Sequence, residues 1–187
     1  MSPWHDAAMR RQSAPWILIP LLGLLAACTP PDEPIVALAV QDGQPVGVLV
    51  TCDGDSFSQL SVFENDAGND QGDHTLISWA VDGTPTSETV EVHLLGQPPE
   101  GWKVRESRDL PASEAGVAVK TEPLTELKPG VRYSLSGSSH RSAISVPFTV
   151  SDFARITPDK VLAPTDHDTM KIMSRDAFVG AARDSCA

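Results

Sequence analysis

Short runs of β-branched and apolar residues, separated by turn-forming residues, recur along most of this chain. The first two runs, residues 35–40 and 46–51, flank Gln41-Asp42-Gly43-Gln44, and the Asp-Gly pair favours the positive φ angles of a tight hairpin. Strands spaced in this way, with no long helical pattern among them, predict a mainly β fold, either a sandwich or a barrel. The further predicted strands are residues 57–63, 75–81, 89–95, 116–121, 133–137 and 143–150.

Two motifs resemble those of fibronectin type III domains. Residues 127–133, Leu-Lys-Pro-Gly-Val-Arg-Tyr, are similar to the tyrosine corner, and Trp79 is similar to the tryptophan of the second strand. The resemblance covers about residues 75–150 and implies an immunoglobulin/fibronectin III-like β-sandwich. It also implies that Pro129 and Gly130 form the corner and that the Tyr133 hydroxyl bonds to the backbone upstream. On this alignment the N-terminal hairpin is an addition to the sandwich.

The pattern changes after residue 150. Ser151 is predicted to cap a single helical turn, and residues 169–173 are predicted to form a short strand. A helix is predicted over residues 174–185 with Ser174 as its N-cap. One face of this helix is predicted to contain Phe178, Ala181, Ala182 and Ser185. The predicted organisation is a β-sandwich over 35–150 and a C-terminal extension over 151–187.

The N-terminus has the pattern of an export signal. Arg10-Arg11 precedes an apolar run over residues 16–28 that contains Pro20 and is shorter than the ~20 residues of a transmembrane helix. The true start is Met1 or Met9, and Met9 gives the better basic region. Residues 25–28, Leu-Ala-Ala-Cys, resemble the lipobox of bacterial lipoproteins.

That resemblance implies a signal peptide over 1–27, an acylated Cys28 and a proline-stiffened tether over 28–34. The implied partners are membrane lipid, through the acylated Cys28, and the enzymes that process lipoproteins. The implied location is the extracytoplasmic face of the cell membrane. Acylation of Cys28 leaves Cys52 and Cys186, and two cysteines in an exported domain predict one disulfide. A metal site is a poor rival, because two thiols without neighbouring histidines lack ligands.

Charge excludes one class of partner. The formal net charge is −11, and removal of the leader with Asp6, Arg10 and Arg11 makes the mature chain about one unit more negative. An acidic surface of this size repels nucleic acid, and no basic cluster indicates a nucleic-acid partner. Solubility alone also accounts for such a charge.

Candidate chemistry is sparse, and neither a catalytic site nor a cofactor is predicted. Gly137-Ser138-Ser139-His140 places a hydroxyl beside an imidazole, but a polar loop at a strand end is the simpler interpretation. Asp66, Asp70 and Asp73 lie in an acidic loop that could gather calcium, although their spacing fails the EF-hand pattern. Asp166-His167-Asp168 is interpreted as a polar turn in preference to a zinc site, because adjacent residues converge poorly on one ion.

Trp102 is the remaining candidate. It follows Pro98-Pro99-Glu100-Gly101, and a tryptophan in such a loop can bind a partner or fold back over the edge of the sandwich, the second being favoured. The Pro-Pro-x-Gly-Trp loop, the early cysteine and the final helix ending in cysteine are similar to a group of uncharacterised actinobacterial lipoproteins. That group implies no function.

The favoured hypothesis is a membrane-anchored, non-enzymatic interaction or envelope accessory module that acts on an unknown envelope protein or ligand. It rests on analogy from fold, since sandwiches of this type mostly bind. A small-ligand or substrate-capture lipoprotein is the alternative, weakened because hinge-type capture needs two lobes. A small secreted hydrolase is the third hypothesis, weakened because no nucleophile has a recognisable context.

Overall fold

The structure is a computed structural model that describes residues 32–52, 54, 57–65, 74–106 and 119–186. It contains eleven strands, one 3₁₀ helix and one α-helix in the described residues. The strands are β1 (Val36–Gln41), β2 (Gln44–Val50), β3 (Ser58–Glu64), β4 (His74–Gly83), β5 (Thr89–His93), β6 (Trp102–Val104), β7 (Val119–Pro123), β8 (Tyr133–Ser138), β9 (Val146–Phe148), β10 (Lys160–Pro164) and β11 (Met170–Ser174). The 3₁₀ helix is Val150–Arg155 and α1 is Arg175–Ser185.

Two sheets pack face to face. The first sheet has the order β11-β10-β1-β2-β5 and is antiparallel throughout. The second has the order β6-β4-β3-β8-β9, and β7 joins it by pairing in parallel with β4. The predicted mainly β sandwich with a short C-terminal helix is therefore confirmed.

The strand order corrects two details of the fibronectin resemblance. β1, β2 and β5 follow the order A-B-E of an immunoglobulin-like sandwich, and β4, β3, β8 and β9 follow C′-C-F-G. The N-terminal hairpin therefore supplies strands A and B and is not an addition. Trp79 lies on β4, the C′ position, and not on the second strand.

The hairpin between β1 and β2 forms as its turn residues predict. Asp42 and Gly43 both have positive φ, 51° and 76°, which is the backbone of the tight turn that matches the twist of paired strands. Gly47 and Gly137 keep the two sheets close together. A Cβ atom on Gly47 would lie 2.4 Å from the Leu60 side chain, and one on Gly137 would lie 2.6 Å from the Val36 side chain.

The described part of the C-terminal region, residues 151–186, contributes two strands to the sandwich. β10 pairs with β1 through Leu38 and Leu162, so the C-terminal hairpin widens the first sheet. β10 and β6 were not predicted from the sequence. The 3₁₀ helix is capped by Thr149, whose backbone N–H donates to Asp152 at 2.9 Å, and the prediction of Ser151 as the cap is wrong.

Helix α1 covers the outer face of the first sheet. Its N-cap is Ser174, as predicted, and the Ser174 hydroxyl accepts a hydrogen bond from the Ala177 N–H. Phe178 and Ala182 are buried and the helix contacts β2, β10 and β11, whereas Ala181 faces solvent and was wrongly assigned to the buried face. The predicted Cys52–Cys186 disulfide is present, with the two Cα atoms 5.5 Å apart.

Candidate functional site

A groove of about 780 Å³ lies on the outer face of the second sheet. Strand pairing places its residues in cross-strand rows: Gln59 is opposite Asp82, Ser61 is opposite Ala80, and Phe63 is opposite Ser78. Because side chains alternate between the two faces of a strand, these residues point away from the core. The lining residues are Gln59, Ser61, Phe63, Leu76, Ser78, Ala80, Asp82, Lys103, Val104, Arg105, Glu106 and Thr121.

Small side chains create the floor of this groove. Ser61, Ser78 and Ala80 stand at the centre of the outer face, where larger residues would fill the space. The neighbouring strand β8 continues the hydroxyl-rich surface, since Ser136 is opposite Ser61 and Ser138 is opposite Gln59. The outer face of the second sheet is therefore rich in short polar side chains.

The two ends of the groove differ in character. Phe63 and Leu76 provide apolar surface at one end. At the other end the Asp82 carboxylate accepts hydrogen bonds from Nε and an Nη of Arg105, both at 3.3 Å, and lies 4.0 Å from Lys103 Nζ. The Asp82 side chain is 11% exposed, whereas those of Arg105 and Lys103 are 48% and 81% exposed. Both cations can therefore contact a bound molecule, and the hydrogen bonds to Asp82 orient the Arg105 guanidinium.

Trp102 lies beside this groove but does not line it. Its side chain is only 8% exposed and packs on Gly83, where a Cβ atom would lie 2.5 Å from the indole. This burial agrees with the favoured interpretation, that Trp102 folds back over the edge of the sandwich, and its possible binding role stays a prediction. Trp102 closes the edge of the core next to β4.

Tyr133 forms the predicted corner. The Lys128 N–H donates to the Tyr133 hydroxyl at 2.8 Å, and the ring is fully buried beside Phe148. Gly130 follows Pro129 in the turn and has a φ of 81°, a conformation that residues with a Cβ atom rarely adopt. The corner is thus structural and fixes the chain at the start of β8.

The predicted metal candidates give no site in the described residues. Asp66, Asp70 and Asp73 lie outside them. Asp166 sits in the turn between β10 and β11, where the Asp168 N–H donates to it at 2.9 Å, and this bond holds the pKa of the Asp166 carboxyl below its usual range. No group of three metal-ligating side chains occurs in the part of the chain that the structure describes.

The Ser139-His140 pair belongs to a tight loop between β8 and β9. The Ser139 hydroxyl accepts a long hydrogen bond, 3.4 Å, from the Arg141 N–H, and Ser138 and Ser142 form a β-bridge across the loop. This agrees with the polar-loop interpretation.

The chain matches no protein-family model, no curated protein and no solved structure. Cys28 lies outside the described residues, and within them no helix is both long enough and apolar enough to cross a bilayer. The groove was missed at the sequence level. Its signal is the alternation of Ser78, Ala80 and Asp82 on one strand with serines at alternate positions of β8.

Proposed function

We propose that this chain is a lipid-anchored, extracytoplasmic β-sandwich that binds an envelope partner through the groove on its second sheet, without catalysing a reaction. The observation that carries the proposal is the contrast between the two outer faces. α1 covers one face, while the other carries a groove of about 780 Å³ with exposed cations at one end. The leader sequence and its lipobox-like end support the proposed location.

The composition of the groove supports binding. Its lining combines apolar side chains, hydroxyl groups and an ion pair, and a partner that contributes both apolar and anionic groups would complement it. Arg105 is held by Asp82 and needs little ordering when a partner binds.

The direct test is affinity capture from the protein's own solubilised envelope. Ser78→Trp fills the groove from its floor, and Ala181→Trp adds the same side chain to the exposed face of α1 as a matched control. We expect the parent and Ala181→Trp to retain the same partner and Ser78→Trp to lose it. Equal capture by all three proteins would contradict binding in the groove.

Capture of a small ligand is the second candidate, and the size of the groove favours it. Small-molecule sites typically measure about 300–1,000 Å³, a range that includes this groove. A rise in melting temperature with one compound of a metabolite panel, absent in Ser78→Trp, would favour this candidate.

The proposal that the protein does not catalyse a reaction has its own test. Labelling of the purified protein by a serine-reactive fluorophosphonate would contradict it.

A further inference from the structure

One end of the sandwich, here called the tether end, contains Glu33, Cys52, Phe57, Arg141 and Cys186. β1 begins there, β2 ends there, and α1 returns there to form the disulfide. β3 also begins at this end, since Ser58 pairs with Gly83 and Gln59 pairs with Ser138, next to the β8–β9 loop. The opposite end contains Gln44, at the start of the seven-residue β2, about 20 Å away.

The chain is fixed to the sandwich as it enters the tether end. The Glu33 N–H donates to the Ser142 carbonyl at 2.8 Å, and the Ile144 N–H donates to the Glu33 carbonyl at 2.8 Å. The Glu33 carboxylate also lies 3.2 Å from Arg141 Nη1. Backbone and side chain therefore both hold Glu33 against the β8–β9 loop.

Arg141 extends this connection to the end of α1. Its Nη1 donates to the Ser185 carbonyl at 2.7 Å, and its Nη2 lies 3.5 Å from the Cys186 carbonyl. The carbonyls at the C-terminus of a helix carry partial negative charge and favour a cation. One guanidinium thus joins the incoming chain, the β8–β9 loop and the disulfide-bonded helix end; we call this arrangement the Arg141 clamp.

A second observation at the same end is the exposed ring of Phe57. Phe57 is 48% exposed, and only it and Val104 are large hydrophobic residues that the structure describes as exposed. Val104 lies on the rim of the groove, whereas Phe57 precedes β3 at the tether end. An exposed apolar ring can insert at the boundary between lipid head groups and acyl chains.

We infer that the tether end is the surface that faces the lipid bilayer, oriented by the Arg141 clamp and contacting the lipid interface through Phe57. The inference rests on the proposed function, because it requires the lipid on Cys28. Four residues lie between Cys28 and Glu33, so five Cα–Cα steps place the clamp at most about 18 Å from the anchored cysteine. A chain this short cannot turn the far end toward the membrane without opening the clamp.

Charge sets how closely the tether end approaches. The β10–β11 turn at this end contains Asp166 and Asp168, which repel anionic head groups, and Arg183 is paired with Glu88. The exposed side chains of Lys103 and Arg105 lie next to Gly83 at the same end and are attracted to such head groups. Phe57 therefore supplies the apolar part of a contact whose strength depends on the fraction of anionic lipid. The groove on the second sheet then remains open to partners beside the membrane.

The test uses the full chain produced in its own host and reconstituted into phosphatidylcholine–phosphatidylglycerol vesicles that contain lipids brominated on the acyl chain. Phe57→Trp reports contact at the tether end, Thr86→Trp reports a second exposed position at that end, and Gln44→Trp is the control at the opposite end. The emission of the processed parent, from which the leader with Trp4 and Trp16 has been removed, comes from Trp79 and Trp102 and is subtracted. We expect loss of the added emission for Phe57→Trp, a smaller loss for Thr86→Trp and no loss for Gln44→Trp.

The outcomes separate the anchor from the orientation. The intact mass of each protein shows whether Cys28 carries lipid, and an unmodified Cys28 overturns the proposed location together with this inference. A lipidated protein with equal quenching at Phe57→Trp and Gln44→Trp overturns the orientation alone. Arg141→Gln, with the disulfide intact, is expected to reduce the difference in quenching between Phe57→Trp and Gln44→Trp. An unchanged contrast would show that the clamp does not set the orientation.

Discussion

The two outer faces of this sandwich differ in whether another element covers them. The first sheet is covered by α1, which buries Phe178 and Ala182 and is closed by the Cys52–Cys186 bond. The second sheet has small polar side chains on its outer face and keeps an open groove. The difference teaches that the disulfide and the buried helix contacts close one outer face, whereas the other combines short polar side chains with Phe63 and Leu76 and stays available for binding.

The largest expected effect comes from removing the bond that closes the covered face. The double variant Cys52→Ala with Cys186→Ala is expected to lose about 4–5 kcal/mol of unfolding free energy, because the disulfide closes a loop with a sequence separation of 134. Urea denaturation of the oxidised parent and the variant measures this loss. A loss below about 1 kcal/mol would show that the bond adds little to the closure of this face.

Removal of the helix anchor is expected to have the next largest effect. Phe178→Ala removes a ring that is 1% exposed and leaves a cavity under α1, at a cost of about 3–4 kcal/mol. Ala181→Ser, on the exposed face of the same helix, is the control and should change stability by less than about 0.5 kcal/mol. Similar effects from both substitutions, measured by chemical denaturation, would contradict the assignment of the buried face.

The sheet that carries the groove is stabilised locally by the hydrogen bond of the tyrosine corner. Tyr133→Phe removes the acceptor of the Lys128 N–H and should lower the free energy of unfolding by about 1–2 kcal/mol, while the buried ring stays in place. Thermal and urea unfolding measure the change. An unaltered stability would show that the corner hydrogen bond is not needed to hold the start of β8.

The smallest effect on stability is expected at the open face. Ser61→Ala and Ser78→Ala alter only short, partly exposed side chains and should each change stability by less than about 0.5 kcal/mol. Under the proposed function the same pair of substitutions should weaken capture of the envelope partner, because the groove floor loses both hydroxyls. A large loss of stability in these variants, with unchanged capture of the partner, would show that the open face serves the fold and not binding.

Local features of the fold were predictable from the sequence, because short-range chemistry fixes them. Asp42-Gly43 specifies its own turn, Ser174 caps the helix that follows it, and residues 127–133 carry the complete corner motif. Features that depend on pairing between distant segments could not be predicted from the sequence. Lys160–Pro164 is short and ends in proline, and it is a strand because Leu162 pairs with Leu38 far along the chain.

The groove depends on the same long-range information. Thr121 joins its wall because β7 pairs in parallel with β4, and Lys103 reaches Asp82 through the short strand β6. A tryptophan in a loop is a strong sequence indication of a binding site, as at Trp102, whereas a surface made of serine and alanine is a weak one. The buried state of Trp102 follows from its contact with Gly83, which spacing alone does not reveal.

The most direct test of the central claim is photo-crosslinking in the protein's own envelope, with one photoreactive residue placed on each outer face. One variant carries the probe at Ser61, on the groove floor, and the matched variant carries it at Ala181, on the exposed face of α1. The account predicts one dominant adduct from position 61 and only scattered products from position 181. The same adduct from both positions, or a dominant adduct from position 181 alone, would contradict it.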